Sequence, residues 1–144
     1  MLLRTFGLLA LIVAISFGSA QLARAQSQEP ILDLELNRVQ QVSEACQFTL
    51  VVRNRSQIDF STVIADLVFF DQNGVISSRR SVDLGRIRPS KTQVLGFALK
   101  EVECMNLSQV LLNEVPECQQ MTAEQIDCTA LTRVSYRSEV EFVK

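Results

Sequence analysis

Hydrophobic and polar residues alternate with a period of two along most of the chain, as they do in half-buried β-strands. Near the start of this pattern, Leu32, Leu34 and Leu36 share one face, while Asp33 and Glu35 share the other. Three later segments show the same alternation, with apolar rows Cys46, Phe48, Leu50, Val52, then Leu95, Phe97, Leu99, then Val134, Tyr136, Val140, Phe142. We expect each of these rows to face a core.

The clearest local signal is a hairpin. Asn73 and Gly74 separate two β-rich runs, and this dipeptide favours a tight turn in which both central residues have positive φ. We predict paired strands over residues 60–71 and 75–84.

About seven short strands, separated by turn residues, predict an all-β fold. The best match is an antiparallel sandwich of the immunoglobulin or fibronectin type, with a small barrel as the alternative. A helix of one or two turns is expected only at residues 122–128, and residues 26–144 are predicted to form a single domain.

The hairpin and the segment after it resemble a known family, the FxLYD-type immunoglobulin-like domains of bacterial exported proteins. The motifs are LVFFD (67–71), NGVI (73–76) and VDLGRIRPSKTQVLGFAL (82–99), and the resemblance covers residues 31–113. Small exported proteobacterial proteins with a comparable cysteine placement are also similar. The chain departs from the family pattern at Leu67 and Phe70, and it adds cysteines. The resemblance implies a sandwich and transfers no catalytic or binding residue.

The first 25 residues have the pattern of a secretory signal peptide. Arg4 precedes an apolar run over 8–17, and Ala23 and Ala25 form a small-residue cleavage site. An uncleaved anchor is the alternative, although the run is shorter than the roughly 20 residues that span a bilayer. Cleavage leaves 144 − 25 = 119 residues, with 12 basic and 16 acidic side chains. We expect a periplasmic or secreted protein, with no stable membrane anchor after cleavage and no nucleic-acid partner.

Four cysteines and no histidine restrict the chemistry. The spacings contain neither paired zinc knuckles nor a C-x-x-C redox motif, and exported cysteines are usually oxidised in pairs. Cys46 starts one predicted strand and Cys104 follows the end of another, so the two can meet in an antiparallel arrangement. Cys118 and Cys128 would then close a loop between strands 109–115 and 133–142 of a final hairpin. We predict the pairs Cys46–Cys104 and Cys118–Cys128.

Familiar catalytic machinery is missing from the sequence. No histidine-based triad can form, and the glycines never form a phosphate-binding loop. The carboxylate pairs Asp33 with Glu35 and Asp66 with Asp71 are interpreted as solvated strand faces rather than a glycosidase site. We therefore predict a non-enzyme with no cofactor and no metal ion.

Two features could serve binding. Residues 61–70 are apolar on both faces, and the second face, formed by Ile64, Val68 and Phe70, is a candidate partner patch unless a loop covers it. The other feature is a candidate anion-binding cluster, for which protection of a strand edge is the simpler explanation. Its members are Arg79, Arg80, Arg86 and Arg88.

The sequence predicts a non-enzymatic exported module that binds a protein in the envelope or outside the cell, and it leaves a homodimer open. The alternative is a secreted inhibitor or structural accessory that presents the loop between Cys118 and Cys128.

Overall fold

The computed structural model describes residues 29–144 and shows an all-β sandwich of two four-stranded sheets. The first sheet has the order β5-β2-β1-β7, and the second has the order β4-β3-β6-β8. A 3-10 turn at Cys104–Asn106 precedes β6, and a single-turn helix α1 at Cys128–Leu131 precedes β7. The strands are β1 (Leu32–Val42), β2 (Ala45–Asn54), β3 (Phe60–Asp71), β4 (Ile76–Asp83), β5 (Thr92–Lys100), β6 (Leu107–Gln120), β7 (Thr132–Tyr136) and β8 (Glu141–Val143).

The core lies between the sheets and is built from most of the predicted apolar rows. Tyr136, which the alternation assigns to an inward row, is instead 46% exposed. The inward residues of β1 and β2 are buried, and so is the row of β3 that begins at Val63. Three aromatic rings join the two sheets. Phe48 stacks on Phe97 with ring centroids 5.0 Å apart, and it meets Phe69 of the facing sheet edge-on at 5.1 Å.

The predicted hairpin forms, but its turn differs from the prediction. Gly74 has a φ of +75°, whereas Asn73 does not have a positive φ. The Gly74 amide donates to the Asp71 carbonyl at 3.0 Å, and the Asp71 side chain accepts from the amides of Asn73 and Val75. The Asp71 amide also donates to the Val75 carbonyl at 2.8 Å, so three residues separate this hydrogen-bonded pair, and of these only the glycine is left-handed. The Asp71 carboxylate supplies hydrogen bonds that a two-residue turn would not need.

Replacing Gly74 with valine is expected to destabilise the domain by about 1–3 kcal/mol, because a β-branched residue is strained at this φ. No atom lies within 4 Å of the position that a Cβ would take, so the strain comes from the backbone alone. Gly74→Asn is the matched control, because asparagine tolerates left-handed φ. Urea unfolding of both variants measures the effect, and an unchanged midpoint for Gly74→Val would contradict it.

The carboxy-terminal segment differs from the prediction of one strand in a final antiparallel hairpin. Residues 133–142 instead contribute to β7, parallel to β1 in the first sheet, and to β8, parallel to β6 in the second. Parallel pairing requires a long crossover, and residues 121–140 supply it between β6 and β8. The polar residues 137–139 lie where the chain passes from one sheet to the other. The sandwich therefore has eight strands and is not purely antiparallel.

The predicted helical segment is also displaced. The helix α1 begins at Cys128, where the predicted segment ends. Asp127 caps it by accepting a hydrogen bond from the Thr129 amide at 3.0 Å.

Both predicted disulfides are present. Cys46 bonds to Cys104 with their Cα atoms 5.0 Å apart, and Cys118 bonds to Cys128 with a Cα separation of 6.0 Å. Cys104 lies on the 3-10 turn rather than at the end of β5. Two disulfides indicate an oxidising compartment outside the cytoplasm. Within residues 29–144, none of the helices has the length and apolar character needed to cross a membrane.

Candidate functional site

The outward face of the first sheet carries a network of arginines and buried carboxylates. Asp33 and Glu35 of β1 are only 5% and 6% exposed. Arg55 and Arg133 pair with Asp33 from either side, the latter at 2.8 Å. Two more arginines pair with Glu35, at distances of 3.2 and 3.1 Å for Arg53 and Arg137, respectively. We call these six residues the arginine face. Four guanidinium groups and two carboxylates give it a net charge of +2.

Hydrogen bonds hold Glu35 in its charged form. Asn37 donates to one carboxylate oxygen at 2.8 Å, and Arg53 donates to the other. These bonds, together with the charges of Arg53 and Arg137, hold the pKa of Glu35 below its ordinary value, although burial opposes them. The arrangement stabilises the carboxylate anion of Glu35.

The interpretation of Asp33, Glu35 and Asp66 as solvated was wrong. They lie on the interior strands β1 and β3 and are buried, and arginine side chains pair with them and compensate their charge. A signal for part of this was present in the sequence. Arg53 of β2 lies directly opposite Asp33 of β1, and Arg55 comes immediately after the end of β2, so two arginines lie beside two carboxylates.

The predicted apolar patch lies on the outward face of β3 in the second sheet. Ile64 and Phe70 are half-buried there, and Val68 is 6% exposed. Phe70 pairs in register with Gln109 of β6, whose side chain donates to Glu141 of β8. Whether a partner uses the patch stays a prediction.

Asp66 divides the same face. Arg79 donates to both carboxylate oxygens at 2.8 and 3.0 Å, and Asn113 donates at 2.9 Å. The hydrogen bonds from Arg79 and then Asn113 hold the pKa of Asp66 below its ordinary value against the effect of burial.

The four arginines of the predicted anion cluster are distributed over different surroundings. Arg79 is committed to Asp66, and Arg86 forms an ion pair with Asp59 at 2.6 Å. Arg80 borders a cleft beside β5, whereas Arg86 and Arg88 border another with Lys91. Anion binding by this set also stays a prediction.

One end of the sandwich gathers exposed apolar side chains that the sequence analysis does not single out. Four connections lie there, over residues 43–44, 72–75, 101–106 and 137–140. We call it the Met105 end, because Met105 is 78% exposed at its centre. A cavity of about 730 Å³ lies beside this methionine and reaches Phe70, and a second of about 480 Å³ reaches Arg38. The other exposed apolar side chains at this end are Val42, Val75 and Ile76.

The turn that carries Met105 is held in place from three directions. The disulfide joins Cys104 to β2, and the Cys104 amide donates to the Gln41 side chain at 2.8 Å. Gln72 of the hairpin loop donates to the carbonyls of Met105 and Leu107 at 3.1 and 2.9 Å. The methionine is therefore presented on a rigid support.

The loop between Cys118 and Cys128 presents a second methionine, Met121, which is 54% exposed. The disulfide closes its base, and the Met121 amide donates to the Asp59 carbonyl at 2.8 Å. A further bond from the Gln120 amide to the Glu124 carbonyl closes the tip.

Replacing Asp66 with asparagine is expected to make the free energy of unfolding less dependent on pH in the acid range. Because the folded pKa of Asp66 is depressed, its contribution is complete above the unfolded value of about 3.9 and is lost as the pH falls through the folded value. The variant should be less stable than the wild type at pH 7, and the difference between the two should shrink as the pH falls below the unfolded value. Urea unfolding across this range measures the difference, and a difference that does not change with pH would contradict it.

These features define a small, disulfide-bonded, all-β sandwich domain. The chain matches no protein-family model and no curated protein. Among solved structures it is similar to IrmA from Escherichia coli, with a TM-score of 0.57, 11% sequence identity, and coverage of 74% of this chain and 92% of that one. At this identity the likeness shows the fold alone.

Proposed function

We propose that the protein is a non-enzymatic, exported module that binds another protein through the Met105 end. The observation that carries the proposal is the group of exposed apolar side chains on a rigid support. Exposed apolar groups that lie together mark interaction sites, and methionine adapts readily to a partner surface. Because the turn is already fixed by a disulfide and hydrogen bonds, little ordering cost is added on binding.

Export is the setting in which this proposal makes sense. The two disulfides support an oxidising compartment. The signal-peptide prediction for residues 1–25 lies outside the described residues, and it assigns the protein to the periplasm or the exterior.

An immunoglobulin or fibronectin type of sandwich is part of the same proposal. Its support is the distribution of the first six strands, with β1, β2 and β5 in one sheet and β3, β4 and β6 in the other. The resemblance to FxLYD-type domains rests on the β3–β4 hairpin and the segment that leads into β5. The strand distribution and the resemblance both support a scaffold whose function depends on its surface.

The apolar patch extends the proposed surface. Phe70 borders the large cavity beside Met105, so a partner at this end would also contact the patch at Phe70. Ile64 lies further along β3 on the same face and is half-buried, whereas Val68 between them is only 6% exposed.

A second candidate is a secreted inhibitor or accessory that uses the Cys118–Cys128 loop. The observation that favours it is Met121, exposed on a loop whose base and tip are both closed. In this case the partner would bind at Met121 rather than at Met105.

The two candidates are separated by a matched pair of variants, Met105→Ser and Met121→Ser, used as immobilised baits with an envelope extract. Both side chains are exposed, so neither change should alter the melting temperature. We expect a stoichiometric protein retained by the wild type and by Met121→Ser, and lost with Met105→Ser. The reverse pattern would favour the loop, and equal retention by both variants would overturn the proposal for the Met105 end.

A further inference from the structure

The strand β5 is a free edge of the first sheet. Among the described strands it pairs only with β2, over nine consecutive residues and without a shift in register. Its other side therefore offers a row of backbone donors and acceptors to a further strand.

Natural proteins protect such edges with charges, prolines, bulges or short strands. The other three edge strands fit this rule. The strand β4 carries Arg79 and Arg80 and a shift in register, β7 carries Arg133, and β8 has only three residues. The strand β5 has no charged side chain before Lys100, no proline and no bulge. Of the edge strands in residues 29–144, it is the one with eight consecutive residues, 92–99, that carry no such protection.

The side chains of β5 also favour pairing with a further strand. Val94 is 66% exposed on the outward face, and Leu95 and Phe97 are only half-buried on the core face. These two line an open cleft of about 360 Å³ between β5 and β4. A strand added to β5 would remove apolar surface from water on both faces.

We propose that β5 pairs antiparallel with β5 of a second copy, centred on Gly96, so that the two first sheets form one continuous sheet. Core-facing residues must meet core-facing residues, which restricts the pairing to registers of equal parity. Centring on Gly96 is the register of this kind that pairs all nine residues. It places Leu95 opposite Phe97 and Val94 opposite Ala98 of the other copy.

Charge supports a second copy as the occupant. In this register Lys100 faces Thr92 at each end, and no like charges are opposed. The contact is isologous, since each copy supplies the same strand, and it closes at two copies. Gly96 lies at the two-fold axis, where the strands approach without a side chain between them.

The test uses the exported protein with its disulfides formed, and measures its mass by sedimentation equilibrium from about 1 µM to about 1 mM, the range for a small interface. The wild type is expected to rise from monomer to dimer. In the double variant Val94→Lys with Ala98→Lys, the lysine at 94 of each copy faces the lysine at 98 of the other. The repulsion is expected to keep this variant monomeric. Val94→Glu with Ala98→Lys opposes unlike charges in this register only, and is expected to restore the dimer to within about threefold of the wild-type Kd.

Gln47→Lys with Thr49→Lys is the matched control, because it adds the same charge to the same face on the interior strand β2. It is expected to leave the dimer intact. A wild type that stays monomeric throughout, a doubly lysine-substituted β5 that still dimerises, or a charge-matched variant that fails to dimerise would each overturn the proposal.

Discussion

Removing the Cys46–Cys104 disulfide by the double change Cys46→Ala and Cys104→Ala is expected to lower the free energy of unfolding by about 4 kcal/mol. The bond joins residues 58 positions apart, and in the chain-entropy model a long closed loop restricts the unfolded chain strongly. It also fixes the turn that carries Met105. The variant should therefore bind the proposed partner more weakly even where it remains folded.

The other disulfide is the matched control. Cys118 and Cys128 are only 10 positions apart, so the corresponding double alanine variant should lose about 3 kcal/mol. Urea unfolding of the two variants compares the losses directly. A larger loss for the short loop would contradict the entropic ranking and would point to packing around Cys118 and Cys128, which are both buried.

Much of the sandwich could be predicted because its information is local. A period of two identifies which residues face the core, and the rows through Leu32, Cys46 and Leu95 lie where that rule places them. The β3–β4 hairpin could be predicted from one turn dipeptide. The Cys46–Cys104 pair could be predicted from two of these strands and the reach of a disulfide, whereas the Cys118–Cys128 pair is correct although the final hairpin from which it was predicted does not form.

The carboxy-terminal strands could not be predicted in the same way. The alternation from Val134 to Phe142 is compatible with a single strand, and it is also compatible with two strands in different sheets. Which of these forms depends on the empty edges beside β1 and β6, and these edges exist only after the rest of the chain has folded. Local pattern contains no information about that competition.

The surfaces were the least predictable part. The arginine face joins β1 to Arg133, 100 residues away from Asp33, so its charge balance depends on tertiary pairing. The Met105 end gathers four connections from across the chain. A lone exposed methionine has no sequence signature, because only its fixed support makes it informative.

The second prediction with a large effect concerns Phe48, whose ring contacts join the two sheets. Replacing Phe48 with alanine is expected to lower the free energy of unfolding by about 3–5 kcal/mol, the range for a buried phenylalanine. Phe48 is fully buried and contacts a ring in each sheet, so its removal takes packing from both sheets at once.

Phe97→Ala should cost less, about 2 kcal/mol, although Phe97 stacks on the same ring. Phe97 is half-buried at the cleft between β4 and β5, so part of its surface is already in contact with water. Thermal and urea unfolding at a concentration where the protein is monomeric compare the two variants, with Phe48→Leu as a control that keeps most of the apolar volume.

If dimers form through β5, raising the protein concentration should increase the loss of stability caused by Phe97→Ala relative to the wild type, because Phe97 then faces Leu95 of the other copy. Equal losses in the free energy of unfolding for Phe48→Ala and Phe97→Ala in the monomer would contradict an open cleft between β4 and β5.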